Sequence, residues 1–354
     1  MTPETVVRME EALGRRASRA ASVAIGCGVL AFALGIATGH SRAALAALAA
    51  SWLFFAGLAA GSLAVVAAVR LARGRWAAPI LPIAESSAGF FDAALVLLVL
   101  LLAGSPALLP WAEGAGFGRL ALLAGRELAP TLVLFAAGAR LVRTGRAGEE
   151  GRSAAAAVVY LLAYVLALSF WAYDWVLSLT SAPPPSVLPA FYFLGAFLSG
   201  LAWIALVTAV RDVGGLALRH DLGKLLFGFV AVWAYLLWAI YLATWYGGIP
   251  AEVGPLLARW SGPYRALSAA MLLAVFAGPF GLFLAEETKR RRATLLLGAV
   301  AILGGLLADR FLLVLPSLAL RGDAVAVVTG AGITIGVAGL FALGVGKRLT
   351  SSGI

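Results

Sequence analysis

The chain has 354 residues, of which 62% are hydrophobic and 12% charged, with a net charge of +10 and a mean hydropathy of +0.97. Soluble domains carry about 25% charged residues, so this composition excludes an ordinary soluble enzyme and describes a polytopic membrane protein. The pI near 10.3 invites nucleic acid as a partner, but the basic residues sit between apolar runs, where membrane topology accounts for them and no nucleic acid is needed.

In chain order, a polar segment at 1–21 comes first, without a cleavable signal, and is expected to stay as a cytoplasmic N-terminal segment. Ten apolar runs follow, at about 22–39, 44–69, 79–103, 128–145, 153–180, 186–210, 221–246, 262–285, 293–315 and 324–346, with a cytoplasmic tail at 347–354. About 20 residues suffice to cross the hydrocarbon core as a helix, so each run is a candidate span of a transmembrane domain covering 22–346. With the N-terminus inside, 20 of the 27 Lys and Arg residues fall on the inner side, in clusters such as Arg70/Arg73/Arg75 and Lys289–Arg292. The other 7 (Arg42, Arg119, Arg126, Arg259, Arg265, Arg310 and Arg321) fall outside. The positive-inside rule then puts both termini in the cytoplasm. The segment 104–127 reads as an outer connection lying along the surface, and the Pro-rich 181–186 as a stiff turn that cannot be helical.

An internal repeat is visible. Phe54–Ala64 (FFAGLAAGSLA) in the second span matches Tyr192–Ala202 (YFLGAFLSGLA) in the sixth. Four spans separate the copies, so both cross in the same direction. The expected fold is therefore an all-α integral membrane protein. Two parallel four-helix bundles, spans 2–5 and 6–9 (about 44–180 and 186–315), are flanked by two peripheral helices. Gly57/Gly61 and Gly195/Ser199, each pair four apart, let helix backbones approach closely.

Composition also restricts the chemistry. The chain has one cysteine, Cys27, two histidines, His40 and His220, and no Asn or Gln. The histidines fall on opposite sides of the bilayer, ~30 Å apart, and cannot share a haem. Three- or four-ligand metal sites of His and Cys are likewise out of reach, so no metal is expected in this chain.

A charged group at membrane depth is costly and marks function by default. Glu85 and Asp92 in the third span are seven apart, which on a regular helix places them on one face. They are candidates for a proton path, or alternatively carboxyls that brace the bundle. At the outer end the fifth span reads SFWAYDWVLSL, with Asp174 among Trp171, Tyr173 and Trp175. Its repeat counterpart, the ninth, carries Asp309 beside Arg310. A quinol would find here a proton acceptor, an aromatic wall and an arginine. The alternative is that the aromatics form an interfacial belt and Arg310 pairs with an aspartate. Asp221 and Lys224 open the seventh span, where Asp221 can cap the helix and pair with Lys224, at a possible proton entrance. Trp245 and Tyr246 close that span as an outer aromatic wall.

The stretch HDLGKLLFGFVAVWAYLLWAIYLATWYGGIPAE (220–252) resembles the seventh-span signature of the ActF-type membrane subunit of bacterial alternative complex III, a quinol:electron-acceptor oxidoreductase. Supporting segments follow in the same order: 52–69, the glutamate of LPIAESS (81–87), YDWVLSL (173–179), 191–202, GPF (278–280) with KRR (289–291), and DRFLLVLP (309–316). The likeness spans about residues 45–316 and departs from the family at TSAPPPSVLP (180–189). The family is related to the NrfD/polysulfide-reductase membrane subunits, and the resemblance implies ten helices in two four-helix bundles. It also implies a bacterial inner-membrane location and partners comprising an NrfD-like paralogous membrane subunit, a multihaem cytochrome c and an iron–sulfur subunit. Those partners hold the haem c and iron–sulfur clusters, while this chain holds no cofactor and touches at most quinone. The candidate quinone contacts are Asp174, Trp171, Trp175, Trp245, Tyr246 and Arg310. The proton-path candidates are Glu85, Asp92, Asp221, Lys224, Asp174 and Asp309. Two other readings are a quinone-binding anchor of a different NrfD-like oxidoreductase and a secondary transporter.

Overall fold

A computed structural model describes residues 3–180, 186–318 and 323–351. All regular elements in them are helical, and ten helices are long and apolar enough to cross a membrane: α1 (Pro3–Ala37), α2 (Ser41–Leu71), α3 (Arg75–Leu108), α4 (Phe117–Arg146), α5 (Glu150–Leu179), α6 (Leu188–Arg211), α7 (Gly215–Gly247), α8 (Tyr264–Leu282), α9 (Arg292–Leu318) and α10 (Ala324–Ser351). The chain is a multi-pass membrane protein, as the apolar runs predicted. The Pro-rich turn at 181–186 lies almost wholly outside the described residues, as does Arg321.

The core is the crossing of α2 with α6. In its central window α2 is 94% buried, more than any other span, because its Ala and Gly residues let neighbours close in on every side. A Cβ on Gly61 would strike the carbonyl of Ala196, and one on Gly200 would strike the backbone of Gly61 and Ser62. These contacts advance in the same direction along both helices, so α2 and α6 run parallel. The two copies of the repeat meet face to face through their small residues.

Around this crossing, aromatic side chains donate to carbonyls of neighbouring helices. Tyr192 Oη donates to Leu53 O at 2.9 Å, Tyr160 Oη to Ala60 O at 2.8 Å and Trp52 Nε1 to Ala94 O at 2.8 Å. A helical carbonyl keeps a second lone pair free, so such bonds join helices without breaking either ladder. The peripheral α1 and α10 pack on each other where Gly28 meets Gly336, and α10 also meets α3 at Gly89 and Gly344.

Two spans are irregular. In α3 the residues Ser87–Phe90 form a 3₁₀ turn, and in α8 the residues Leu273–Ala277 form a π turn just before Pro279, which has no N–H to donate. The 3₁₀ turn corrects the expectation for Glu85 and Asp92. Each of its four residues advances the chain by about 120° rather than about 100°, which turns Asp92 by about 80° from its place on a regular helix and leaves it about 60° off the Glu85 face. Glu85 is buried and Asp92 exposed.

Two further expectations change. Helix α3 runs to Leu108 and α4 begins at Phe117, so the connection between them is 109–116 rather than 104–127. Helix α7 starts at Gly215 after Gly214 (φ +77°), so Asp221 lies inside the helix and does not cap it.

Candidate functional site

The polar groups gather at two levels, one at each end of the helices. At the basic end, Glu85 accepts from Arg70 Nη2 (2.6 Å) and Arg146 Nε (3.0 Å), while Arg70 also donates to the carbonyl of Leu141. One buried carboxylate thus ties the ends of α2, α3 and α4. Asp221 and Lys224 pair at 3.5 Å, three residues apart and partly exposed. Such a pair contributes at most about 1 kcal/mol. Beside it, His220 lies 4.0 Å from Glu286, and Arg292 donates to the carbonyls of Ala209 (2.6 Å) and Val210 (2.9 Å). Asp92 belongs to neither level.

At the opposite end, α4 and α5 form an antiparallel ladder. Trp171 and Trp175, four apart, face Thr131 and Glu127, also four apart. Trp171 Nε1 donates to Thr131 Oγ1 and Trp175 Nε1 to Glu127 Oε2, both at 2.9 Å. Both indoles are fully buried, which corrects the reading of these tryptophans as a membrane-interface belt or an accessible wall. Their hydrogen-bond partners on α4 draw them inward.

Glu127 is itself wholly buried, and its second oxygen, Oε1, has no partner. The Asp174 carboxyl lies beside it. Arg126 grips Asp174 with both arms of its guanidinium, Nε to Oδ2 at 2.8 Å and Nη2 to Oδ1. Arg126 and Asp174 then line an open pocket of about 370 Å³ with Phe170, Tyr173, Leu177, Ser178 and Thr180. Its aromatic side chains are Phe170 and Tyr173, which lie on the other face of α5 from the two tryptophans.

The second half repeats part of this plan. Asp309 Oδ2 accepts from Arg310 Nη1 at 3.1 Å. Arg310 Nη2 donates to Tyr192 O at 3.3 Å, and its guanidinium lies 4.4 Å over the Tyr192 ring. Arg310 is only 2% exposed, and it fits because Gly195 has no Cβ: one built there would lie 2.7 Å from Nη2. Arg259, at the end of a short helix Pro250–Arg259, exerts its charge on Asp309. In the first half, then, the arginine that holds the aspartate comes from the neighbouring span α4, and in the second it is the adjacent residue of the same span. Trp245 and Tyr246 project outward at 76% and 87% exposure and line neither the Asp174 pocket nor the small cavity at Arg259.

Sequence reasoning missed Arg126 and Glu127, because an adjacent Arg–Glu pair before an apolar run reads as the end of a loop. The available signal was Thr131, four residues after Glu127, matched to Trp171 and Trp175 four apart. Among the described residues, no group of three His, Cys, Asp or Glu comes together in a metal-binding arrangement. No family model matches the chain, and no curated protein matches it.

Proposed function

We propose that the chain is an integral subunit of a bacterial inner-membrane quinol:electron-acceptor oxidoreductase of the alternative complex III type, and that it handles protons at the Arg126–Glu127–Asp174 cluster. The observation that carries the proton role is Glu127, a wholly buried carboxyl with one unpartnered oxygen, next to an aspartate that opens onto a pocket. The assignment to this complex rests on the resemblance of 220–252 and its supporting segments.

Oxidising a quinol releases two electrons and two protons. The electrons pass to haem c and iron–sulfur centres in partner subunits, and the protons need acceptors beside the headgroup. With both carboxyls ionised the cluster carries one net negative charge. One added proton neutralises it, and Glu127 Oε1 has a free position for that proton. Asp174 receives the proton at the pocket and Glu127 holds it inside. In this orientation the basic end, both termini included, faces the cytoplasm. A secondary transporter is less well supported, because the break in α3 has no counterpart in α7, which is continuous from Gly215 to Gly247.

Mild-detergent purification from native membranes, with haem staining and mass spectrometry, tests the assembly. A multihaem cytochrome and an iron–sulfur subunit are expected to co-purify. A haem-free, solitary protein that moves solute in liposomes overturns the proposal. In the intact complex, Glu127→Gln keeps the acceptor for Trp175 but cannot ionise, and quinol oxidation is expected to fall about tenfold or more. Unchanged turnover removes Glu127 from the proton path.

A further inference from the structure

Arg126 is the wall between two concavities at the Asp174 end of the molecule. On one side it holds Asp174 in the open pocket already described. On the other it lines a second hollow of about 230 Å³ with Trp111, Arg119, Leu122 and Leu123. Gripping Asp174 through Nε and Nη2 occupies one edge of its guanidinium and leaves three of the five N–H donors unused, both of those on Nη1 among them. Arg119 is exposed, and among the described residues no hydrogen bond or ion pair reaches its guanidinium. Glu113, two residues from Trp111, pairs with neither arginine. Two cations thus share a hollow whose lining includes no acid.

The order of these groups along α4 points to the ligand. Arg119, Leu122, Leu123 and Arg126 follow at i, i+3, i+4 and i+7, one face of a continuous helix, with about 10 Å of rise from the first to the last. From the helix start inward, that face presents a free guanidinium, a leucine floor and a second set of N–H donors. Both arginine stems are long enough to lean together over the leucines. Leu122 is 67% exposed and Phe117, at the helix start, 88%, so large apolar groups surround the hollow where the span leaves the membrane. A glycerophospholipid carries its groups in the same order: the phosphodiester outermost, the ester carbonyls deeper and the acyl chains below. A planar guanidinium grips a phosphate through two parallel N–H···O bonds, and Trp111 supplies an indole at headgroup level. Arg126 already faces Asp174, so the uncompensated charge is that of Arg119. It favours a headgroup with net negative charge over one that also carries an ammonium.

We propose that the Trp111–Arg119–Arg126 hollow is a binding site for an anionic glycerophospholipid of the phosphatidylglycerol class. Its phosphodiester lies on Arg119 and its ester carbonyls accept from the free edge of Arg126. The lipid and Asp174 then hold one guanidinium from its two sides, and the site stands whether or not the neighbouring cluster handles protons.

The test is native mass spectrometry of the full chain, titrated in detergent with phosphatidylglycerol or phosphatidylcholine bearing the same acyl chains. Phosphatidylglycerol is expected to bind about fivefold more tightly, and Arg119→Gln to remove that preference while leaving phosphatidylcholine binding as it was. Arg42→Gln, which removes another exposed arginine at the same end of the molecule, leaves the preference intact. Because the Arg119 guanidinium touches nothing within this chain, a thermal midpoint equal to the parent's confirms that the fold survives. In native membranes, a benzophenone amino acid at Leu122 is expected to form a phospholipid adduct. The proposal is overturned if Arg119→Gln leaves the preference unchanged, or if Arg42→Gln abolishes it equally. It is also overturned if inorganic phosphate binds with the same Arg119 dependence, which makes this a free-anion site, or if Leu122 captures a polypeptide instead of lipid.

Discussion

At the scale of single residues, what distinguishes the acidic groups is which partner each one has. Glu85 has two arginines, Asp174 and Asp309 one each within hydrogen-bonding distance, Glu127 an indole on one oxygen only, and Asp92 none. Asp323 has the most ordinary role: its Oδ1 accepts from Ala326 N at 2.7 Å as the cap of α10, and its Oδ2 meets His40 Nε2 at 3.0 Å across the first connection. The Ala326 N–H and, after it, His40 hold its carboxyl below the ordinary value of 3.8. A lowered folded-state pKa means that this cap stabilises the protein above about pH 4 and stops doing so as the pH falls through the folded value. Asp323→Ala is therefore expected to lower the thermal midpoint at pH 6, and the deficit to shrink as the pH falls below about 4. A deficit that stays constant over that range refutes the assignment. The sequence made Asp174 and Asp309 conspicuous because each interrupts an apolar run. It concealed Glu127 because a charge beside another charge looks like a loop.

At the scale of elements, the ten spans were legible because ~20 apolar residues between basic clusters leave few alternatives to a membrane helix. The repeat was legible because its small residues meet across the α2–α6 crossing, where only Gly, Ala or Ser fits. Helical phase was not legible, because it depends on local breaks. A four-residue 3₁₀ turn in α3 was enough to separate Glu85 from Asp92, and nothing in LPIAESSAGFFD announces it except Gly89, which has to clear the carbonyl of Gly344. The crossing makes its own prediction. Gly200→Val places branched methyl groups against the backbone of Gly61 and Ser62, which cannot yield as a side chain can. It is expected to destabilise the protein by about 2 kcal/mol or more, the usual cost of overpacking a tight core. Gly228→Ala on exposed α7 meets nothing within 4 Å and is expected to be neutral or mildly stabilising. Thermal unfolding in one detergent, with the two variants side by side, decides the matter. Equal midpoints would mean that the α2–α6 contact is not the core of the molecule.

At the scale of the whole molecule, the two halves are alike in plan and unlike in chemistry. Each half pairs its outer aspartate with an arginine, Arg126 with Asp174 and Arg310 with Asp309, but only the first pair opens onto a pocket that holds its aspartate, and only the first is backed by a second carboxyl. The second half is instead closed by Arg310 over Tyr192, a cation lodged on an aromatic face and bonded to a backbone carbonyl. A duplicated scaffold with one open and one sealed end fits the proposed role of handling protons at one place, and it makes orientation decisive: the Asp174 pocket faces whichever compartment the basic clusters do not. Ten spans, an even number, return the C-terminus to the side of the N-terminus, and the proposed topology, which rests on the 20-to-7 division of Lys and Arg, puts that side in the cytoplasm. A C-terminal green fluorescent protein fusion is then expected to fluoresce, and alkaline phosphatase fused after Gly116, between α3 and α4, to be active outside. The opposite pair of readouts would turn the molecule over, put the Arg126–Glu127–Asp174 cluster on the cytoplasmic side, and make it a site of proton uptake rather than release.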